Sequence, residues 1–162
     1  MAGAYNLTSM RYLVLFLCTL PIFGQSLRVS SATATPGKKT EVEIALDSPA
    51  GKEPLALQWE VGFSADAFKL DKAGLVAGPA AHAAGKSLTC AAKKNAGPTA
   101  WVCILAGGQK PIASGVVAVL HLDVQPGAGD SRAIVVDNAM AVSAALKKLP
   151  ISRVAATVKV TR

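Results

Sequence analysis

Residues 55–61 read Leu-Ala-Leu-Gln-Trp-Glu-Val, and this stretch decides the fold. Large apolar side chains fill every second position, and the residues between them are small or polar. An alternation with a period of two predicts a β-strand that has one buried face and one wet face. The pattern therefore predicts that Trp59 lies in a core, while Gln58 and Glu60 point outward.

The same alternation recurs along most of the chain. It is clearest at residues 115–124, and it also marks residues 42–46 and 154–161. About nine such strands, separated by turns rich in Pro and Gly, predict an all-β fold. We expect a nine-stranded antiparallel β-sandwich, a jelly roll of immunoglobulin-like appearance. Residues 74–86 are rich in Ala and Gly; a helical turn is compatible with them, but the glycines favour an irregular crossover.

The N-terminus has the three parts of a secretory signal. These are Arg11, an uncharged apolar run at residues 12–20, and the small residue Gly24. The run is shorter than the ~20 residues that a membrane-spanning helix needs. The sequence thus predicts a signal peptide at residues 1–24, with Met10 as an alternative start, and a single domain at residues 25–162. We expect a secreted or periplasmic protein whose exported chain has no membrane span.

The charge pattern argues against nucleic acid as a partner. The chain has 17 Lys and Arg against 10 Asp and Glu, which gives a formal net charge of +7. These charges are spread along the sequence, whereas nucleic-acid binding needs a clustered basic face with aromatic or recognition-helix support. We interpret the excess as solubilising charge.

Two cysteines remain once the signal peptide is removed, Cys90 and Cys103. They are equidistant from the centre of the turn at residues 95–98, so they face each other across a predicted hairpin. A non-hydrogen-bonded pair brings its Cα atoms to roughly 4.5 Å, at the close end of what a disulfide accepts. Two cysteines without neighbouring histidines give no tetrahedral metal site, and the redox spacing Cys-x-x-Cys is absent. The pattern favours a structural disulfide in an exported protein.

Residues that could catalyse a reaction form no recognisable constellation. His82 lies in the predicted crossover and His121 on the wet face of a strand, and neither has a serine or cysteine partner in a known motif. Exposed strand carboxylates such as Glu41 and Glu60 are typical of solubility and edge protection. The acidic residues also lack the spacing of an EF-type calcium loop. The sequence therefore predicts no enzyme, no cofactor and no metal site.

Three stretches resemble the cohesin module. The first is residues 35–42, Thr-Pro-Gly-Lys-Lys-Thr-Glu-Val, with a Pro-Gly turn before the second strand. The second is residues 55–64 followed by Phe-Lys-Leu at residues 68–70; the family's Tyr-Asp-Pro is replaced by Phe-Ser-Ala-Asp at residues 63–66. The third is residues 112–124, which include a Gly-led strand that precedes the last hairpin. The resemblance spans nearly the whole exported chain.

The resemblance implies a jelly-roll sandwich that binds a protein and catalyses nothing. Cohesins of cellulosomes capture the calcium-loaded dockerin modules of polysaccharide-degrading enzymes. A dockerin-type partner, in a polysaccharide-degrading or surface assembly, is therefore implied here. In the family the partner docks on the sheet that contains strands three, five and six. The corresponding outward positions of this sequence are Gln58, Glu60 and Thr89, and we expect a monomer.

Two other functions are compatible with the sequence. One is a carbohydrate-binding module in polysaccharide breakdown, since related folds bind glycans. Such a site needs exposed rings, and Trp101 is the candidate. The pattern leaves the exposure of Trp101 undecided, because this residue shares a face with Cys103 and Leu105, opposite Val102 and Ile104. The other function is a structural or adhesive domain of the cell envelope.

Overall fold

The computed structural model describes residues 24–93 and 99–161. The predicted signal peptide at residues 1–24 lies outside the described residues, apart from Gly24. The described part of the chain folds into two β-sheets that enclose one hydrophobic core. The all-β class predicted from the alternation is thereby confirmed.

Within the described residues the chain forms twelve strands, one short α-helix and a 3-10 helix at Lys72–Gly74. The α-helix, α1, spans Pro79–Ala83. The strands are β1 (Ser26–Val29), β2 (Ala32–Ala34), β3 (Lys39–Asp47), β4 (Ala56–Phe63), β5 (Phe68–Lys69), β6 (Leu75–Ala77), β7 (Ser87–Ala92), β8 (Thr99–Ala106), β9 (Gly115–Val124), β10 (Ser131–Val142), β11 (Lys148–Ile151) and β12 (Val154–Val160).

The two sheets have five and seven strands. The five-stranded sheet has the order β1-β3-β9-β5, and β6 also pairs with β9. The seven-stranded sheet has the order β2-β12-β10-β4-β8-β7, and β11 also pairs with β10. The described pairs are antiparallel, with the exception of β2 and β12, which run parallel. The predicted count of nine strands is too low, because β2, β6 and β11 have only three or four residues and show no alternation.

The alternating apolar residues fill the space between the sheets. On β4 the side chains of Leu57, Trp59 and Val61 are buried, as the stretch at residues 55–61 predicts. They pack with the inward side chains of β3 and β9, which belong to the same buried cluster. Each sheet therefore keeps one face for the core and turns the other to solvent.

The Ala- and Gly-rich crossover is more regular than predicted. It contains β6 and α1, and Pro79 begins the helix at a position where its fixed φ is favourable. Gly78 precedes the helix and packs tightly on β9, since a Cβ at this residue would lie 2.4 Å from the carbonyl oxygen of Val116. The glycine therefore marks a close approach between two elements, and the prediction of an irregular segment is wrong for residues 79–83.

The predicted disulfide is present. Cys90 on β7 and Cys103 on β8 are register partners, their Cα atoms are 4.1 Å apart, and their sulfur atoms are bonded. Both residues are buried. Because β7 ends the strand order of its sheet, the bond ties this edge strand to the body of the sandwich.

Buried Lys86 fixes the entry to β7. Its ammonium donates hydrogen bonds to the carbonyl oxygens of Gly107 and Gly108, at 2.7 and 3.2 Å, just beyond the end of β8. Burial lowers the pKa of Lys86. The hydrogen bonds join the start of one strand to the end of its neighbour, so β7 is held at both its entry and its disulfide.

Candidate functional site

The outer face of the five-stranded sheet carries paired charged side chains at one end, and exposed Val76 lies on the same face. Lys39 on β3 lies opposite Asp123 on β9, and their charged atoms are 2.8 Å apart. Glu41 lies opposite His121, with 3.1 Å between the carboxylate oxygen and Nδ1. Exposed charges that compensate one another are typical of a solvated surface.

The outer face of the seven-stranded sheet is different, because it is apolar at its centre. Ile104 on β8 has 45% of its surface exposed, although it is a large aliphatic residue. Its neighbours on the same side of β8 are also apolar. We call this surface the apolar face and define it by the outward residues of four adjacent strands: Ala100, Val102, Ile104 and Ala106 of β8, Gln58, Glu60 and Gly62 of β4, Thr89 of β7, and Val135, Asp137, Met140 and Val142 of β10.

Three of the four predicted binding residues lie on the apolar face. Gln58 and Thr89 are both register partners of Ile104, one on each side of it. Glu60 is the register partner of Val102. The pairing of three strands thus brings these residues together around the exposed isoleucine, and none of the three is buried.

Trp101 lies on the other side of β8, inside the sandwich. Only 8% of its surface is exposed, and its register partner is Val61 in the core. The indole ring presents no open face to a sugar, so the prediction of Trp101 as a stacking residue is corrected. Trp59, Phe63 and Phe68 are buried as well. Among the residues that the structure describes, no aromatic ring is exposed.

Two carboxylates, Glu60 and Asp137, face each other across β4 and β10. Like charges in this position repel, and a cation offsets each of them. Lys93 Nζ donates a hydrogen bond to Glu60 at 2.8 Å, and Arg153 Nε lies 3.5 Å from Asp137 Oδ2. The hydrogen bond from Lys93 holds the pKa of Glu60 below its ordinary value, with a smaller contribution from the side chain of Asn138. The result is a rim of compensated charge beside an apolar centre.

A recess of about 350 Å³ lies next to these carboxylates. Its floor consists of small residues on adjacent strands, chiefly Gly62, Ala100 and Val135. Gly62 has no left-handed φ, and a Cβ there would meet only the carbonyl oxygen of Thr99, at 3.9 Å. The local fold therefore does not require glycine at this position, and the missing side chain is what leaves the recess open.

The β10–β11 hairpin projects from the far end of the same sheet. A hydrogen bond of 3.0 Å from Ser143 N to Lys147 O closes a loop at residues 144–146. Leu146 has a φ of 58° and is 78% exposed. Glycine is the usual residue in such a left-handed loop position. Sequence reasoning missed this tip because its Ala, Leu and Lys residues are helix formers and give no turn signal.

No group of three or more His, Cys, Asp or Glu side chains in the described part of the chain could hold a metal ion. His82 is exposed on α1, and His121 contacts Glu41. None of the described helices is long and apolar enough to cross a bilayer.

Solved structures that share this architecture are cohesin modules. A non-cellulosomal cohesin from the archaeon Archaeoglobus fulgidus is similar at a TM-score of 0.68 and 9% identity, over 86% of this chain and 93% of that one. The cohesin module of a Clostridium perfringens family 33 glycoside hydrolase is similar at a TM-score of 0.66 and 12% identity, over 85% of this chain and 96% of that one. The cohesin in a type I cohesin–dockerin complex from Clostridium thermocellum is similar at a TM-score of 0.70 and 14% identity, over 86% of this chain and 100% of that one.

No protein-family model matches the sequence, and no curated protein matches it significantly. Likeness at 9–14% identity concerns the course of the backbone. It agrees with the β-sandwich described above. The chain is therefore a cohesin-like β-sandwich domain in its fold.

Proposed function

We propose that the exported chain is a non-catalytic extracellular module that binds a dockerin-type protein partner on the apolar face, in a polysaccharide-degrading or surface assembly. One observation carries the proposal: the outer face of the seven-stranded sheet has the 45% exposed Ile104 at its centre, with Gln58 and Thr89 as its partners on the neighbouring strands. Ile104 lies between Val102 and Ala106 on the outward side of β8. A continuous exposed apolar surface of this kind is typical of a binding site rather than of a solvated sheet face.

The arrangement of the apolar face matches that of a protein interface. Interface cores are depleted of charge and surrounded by a polar rim. Here Ile104 lies at the centre, Gln58 and Thr89 flank it, and the charged pairs of Glu60 and Asp137 lie towards one end. An apolar anchor ringed by polar groups that exclude water is where binding energy concentrates.

The strand order supports the same surface. When the short strands β2, β6 and β11 are left out of the count, strands three, five and six are β4, β7 and β8. These three are neighbours in the seven-stranded sheet, and their outward positions are those that the cohesin resemblance implies. Several similar solved structures are complexes of a cohesin with a dockerin.

Carbohydrate binding is less well supported. Stacking on a sugar ring needs an exposed aromatic side chain, and all four rings in the described residues are buried. The centre of the apolar face offers the aliphatic side chain of Ile104, which suits a protein side chain better than a glycan.

The test is capture by the immobilised exported chain, residues 25–162, from the secretome of the source organism with calcium present. The binding-face variant is Ile104→Asp. Its matched control is Val76→Asp, which changes another exposed aliphatic residue (37% exposed) on the opposite sheet. We expect a partner that carries a duplicated calcium-loop module, is released by a chelator, is lost with Ile104→Asp and is kept with Val76→Asp. Capture of no protein, or capture that Ile104→Asp leaves intact, would overturn the proposal.

A further inference from the structure

Leu146 is an anomaly that partner docking on the apolar face does not explain. It combines 78% exposure with a left-handed backbone conformation that a bulky side chain rarely adopts. Glycine or asparagine would satisfy the loop at lower cost. An exposed leucine in an unfavourable backbone conformation at a hairpin tip points to a contact that the isolated chain does not make.

The recess at Gly62 is the complementary anomaly. A glycine inside a central strand weakens the strand, and such a glycine often marks a place where another molecule approaches closely. The open space above it shows that the chain's own packing does not demand a glycine. The recess is walled largely by carbon and is large enough for one aliphatic side chain.

The tip carries cations, and the recess has one carboxylate, Asp137, whose contact with a cation is long. Leu146 is followed by Lys147 and Lys148, and neither forms an ion pair with a described carboxylate. The recess is lined by Glu60, Asp137 and Arg153, and Lys93 donates a hydrogen bond to Glu60. The contact of Asp137 Oδ2 with Arg153 Nε is long, at 3.5 Å, and half of the Asp137 side chain is exposed, so this carboxylate can accept a second cation.

The two features lie too far apart to meet within one molecule. Val135 forms part of the recess floor, while Val142 at the other end of β10 precedes the hairpin tip. Seven residues of strand separate them by roughly 23 Å. The tip of one copy can therefore fill only the recess of another copy.

We propose that the chain self-associates head to tail, with Leu146 of one copy inserted into the Gly62 recess of the next and Lys147 or Lys148 beside Asp137. The contact is heterologous, because each copy offers a tip at one end and a recess at the other, so successive copies form an open row. This proposal goes beyond partner binding. The contact is far smaller than the ~1,200 Å² of a stable interface, and we expect half-association near ~1 mM. The monomer expected from the sequence is then the dilute form.

The test is the mass of the exported chain by sedimentation and small-angle scattering, from well below to above the expected concentration. Wild type should form species larger than dimers, and added salt should weaken them. Leu146→Asn, which suits the left-handed conformation but removes the apolar tip, should stay monomeric. Gly62→Val, which suits a strand and fills the recess, should also stay monomeric. Val76→Asn is the matched control and should associate like wild type.

Mixing the two variants gives the sharpest outcome. Leu146→Asn keeps its recess and Gly62→Val keeps its tip, so an equimolar mixture can form one contact and should stop at a heterodimer. A wild-type mass that stays monomeric throughout overturns the proposal. So does association that survives either substitution, or a mixture that remains monomeric. None of these results depends on a docking partner, so the proposed function is judged separately.

Discussion

At the residue scale, Leu146 is the side chain whose replacement should stabilise the isolated domain. A left-handed conformation brings Cβ close to the following carbonyl oxygen, at a cost of roughly 1–2 kcal/mol for a residue other than glycine. We expect Leu146→Gly to raise the free energy of unfolding by about 1 kcal/mol in a urea titration of dilute protein. Leu146→Ala is the control; because it keeps the Cβ, it should give no such gain. A lower stability with glycine would contradict this account of the loop.

Trp101 should behave as a core residue. We expect Trp101→Ala to lower the free energy of unfolding by about 3–5 kcal/mol, since it leaves a cavity between the sheets. Ile104→Ala, on the outward side of the same strand, should cost less than about 1 kcal/mol. Midpoints of denaturant unfolding measure both. Similar losses for the two variants would show that the two sides of β8 are not buried as described.

Trp59 and Trp101 show what the alternation can and cannot predict for a single residue. Trp59 was correctly predicted to be buried because polar Gln58 and Glu60 mark the other side of its strand. Trp101 stands between Ala100 and Val102, and the strand continues with apolar residues on both sides. A periodicity that is absent cannot assign a face, so the register with β4 was needed to place the ring in the core.

At the scale of elements, the disulfide should stabilise the fold by holding the edge strand β7 against β8. It joins residues separated by 13 positions, and closing a loop of this length stabilises by about 3 kcal/mol in the chain-entropy model. We expect a double Cys90→Ala, Cys103→Ala variant to lose a similar amount of stability. Mass analysis of the exported wild-type protein without reductant should show two hydrogens fewer than the dithiol. Free thiols in protein isolated from the periplasm or the medium would contradict the bridge.

The ion pair between Glu60 on β4 and Lys93 just after β7 should make a pH-dependent contribution to the free energy of unfolding. The pKa of Glu60 is lowered from 4.5 by the hydrogen bond from Lys93. The folded state therefore holds this proton less tightly than the unfolded chain does. The contribution is present above pH 4.5 and is lost as the pH falls through the lowered pKa. For a partly exposed pair we expect less than about 1 kcal/mol.

The measurement is urea unfolding of wild type and Glu60→Gln at pH 7 and pH 3. The difference between the two proteins should shrink at the lower pH. Lys93→Met should reproduce the loss seen with Glu60→Gln at pH 7. The double variant should lose little more than either single variant, because both remove the same interaction. Additive losses would show that the two side chains act independently.

Strands were predicted from the sequence where the alternation is uninterrupted, but of the 12-residue β10 only residues 133–136 were predicted. β3, β4, β9 and β12 were predicted in this way. β11 was missed because it has only four residues, and α1 because glycines that serve close packing look the same as glycines that break structure. The hairpin tip was missed because its residues carry no turn signal.

At the scale of the whole molecule, both sheets share one core, and the domain should unfold as a unit. We expect the far-ultraviolet and near-ultraviolet circular dichroism of residues 25–162 to follow a single transition in denaturant. The mainly non-local strand pairing predicts refolding in milliseconds to seconds. Two separate transitions would mean that one sheet persists without the other.

The sandwich could be predicted from the sequence, whereas the apolar face could be placed only by the resemblance to cohesins. A strand in a two-layer sandwich alternates between apolar and polar residues, and this alternation can be read within each strand alone. The neighbours of Ile104 are Gln58 and Thr89, which are distant in the sequence and meet only through pairing of three strands. The recess at Gly62 and the tip at Leu146 are likewise products of register and loop geometry. Their binding roles stay predictions until the capture and mass experiments are done.

The position of the disulfide also gives the protein an internal optical probe. Trp59 lies opposite Cys103 in the register, and Trp101 is two residues away on the same side of β8. A disulfide quenches the emission of a nearby indole, and residues 25–162 contain no tyrosine to add a background. Reduction of the bridge should therefore brighten the fluorescence while the fold persists. The redox state of the edge strand could then be followed in unlabelled protein, even during secretion.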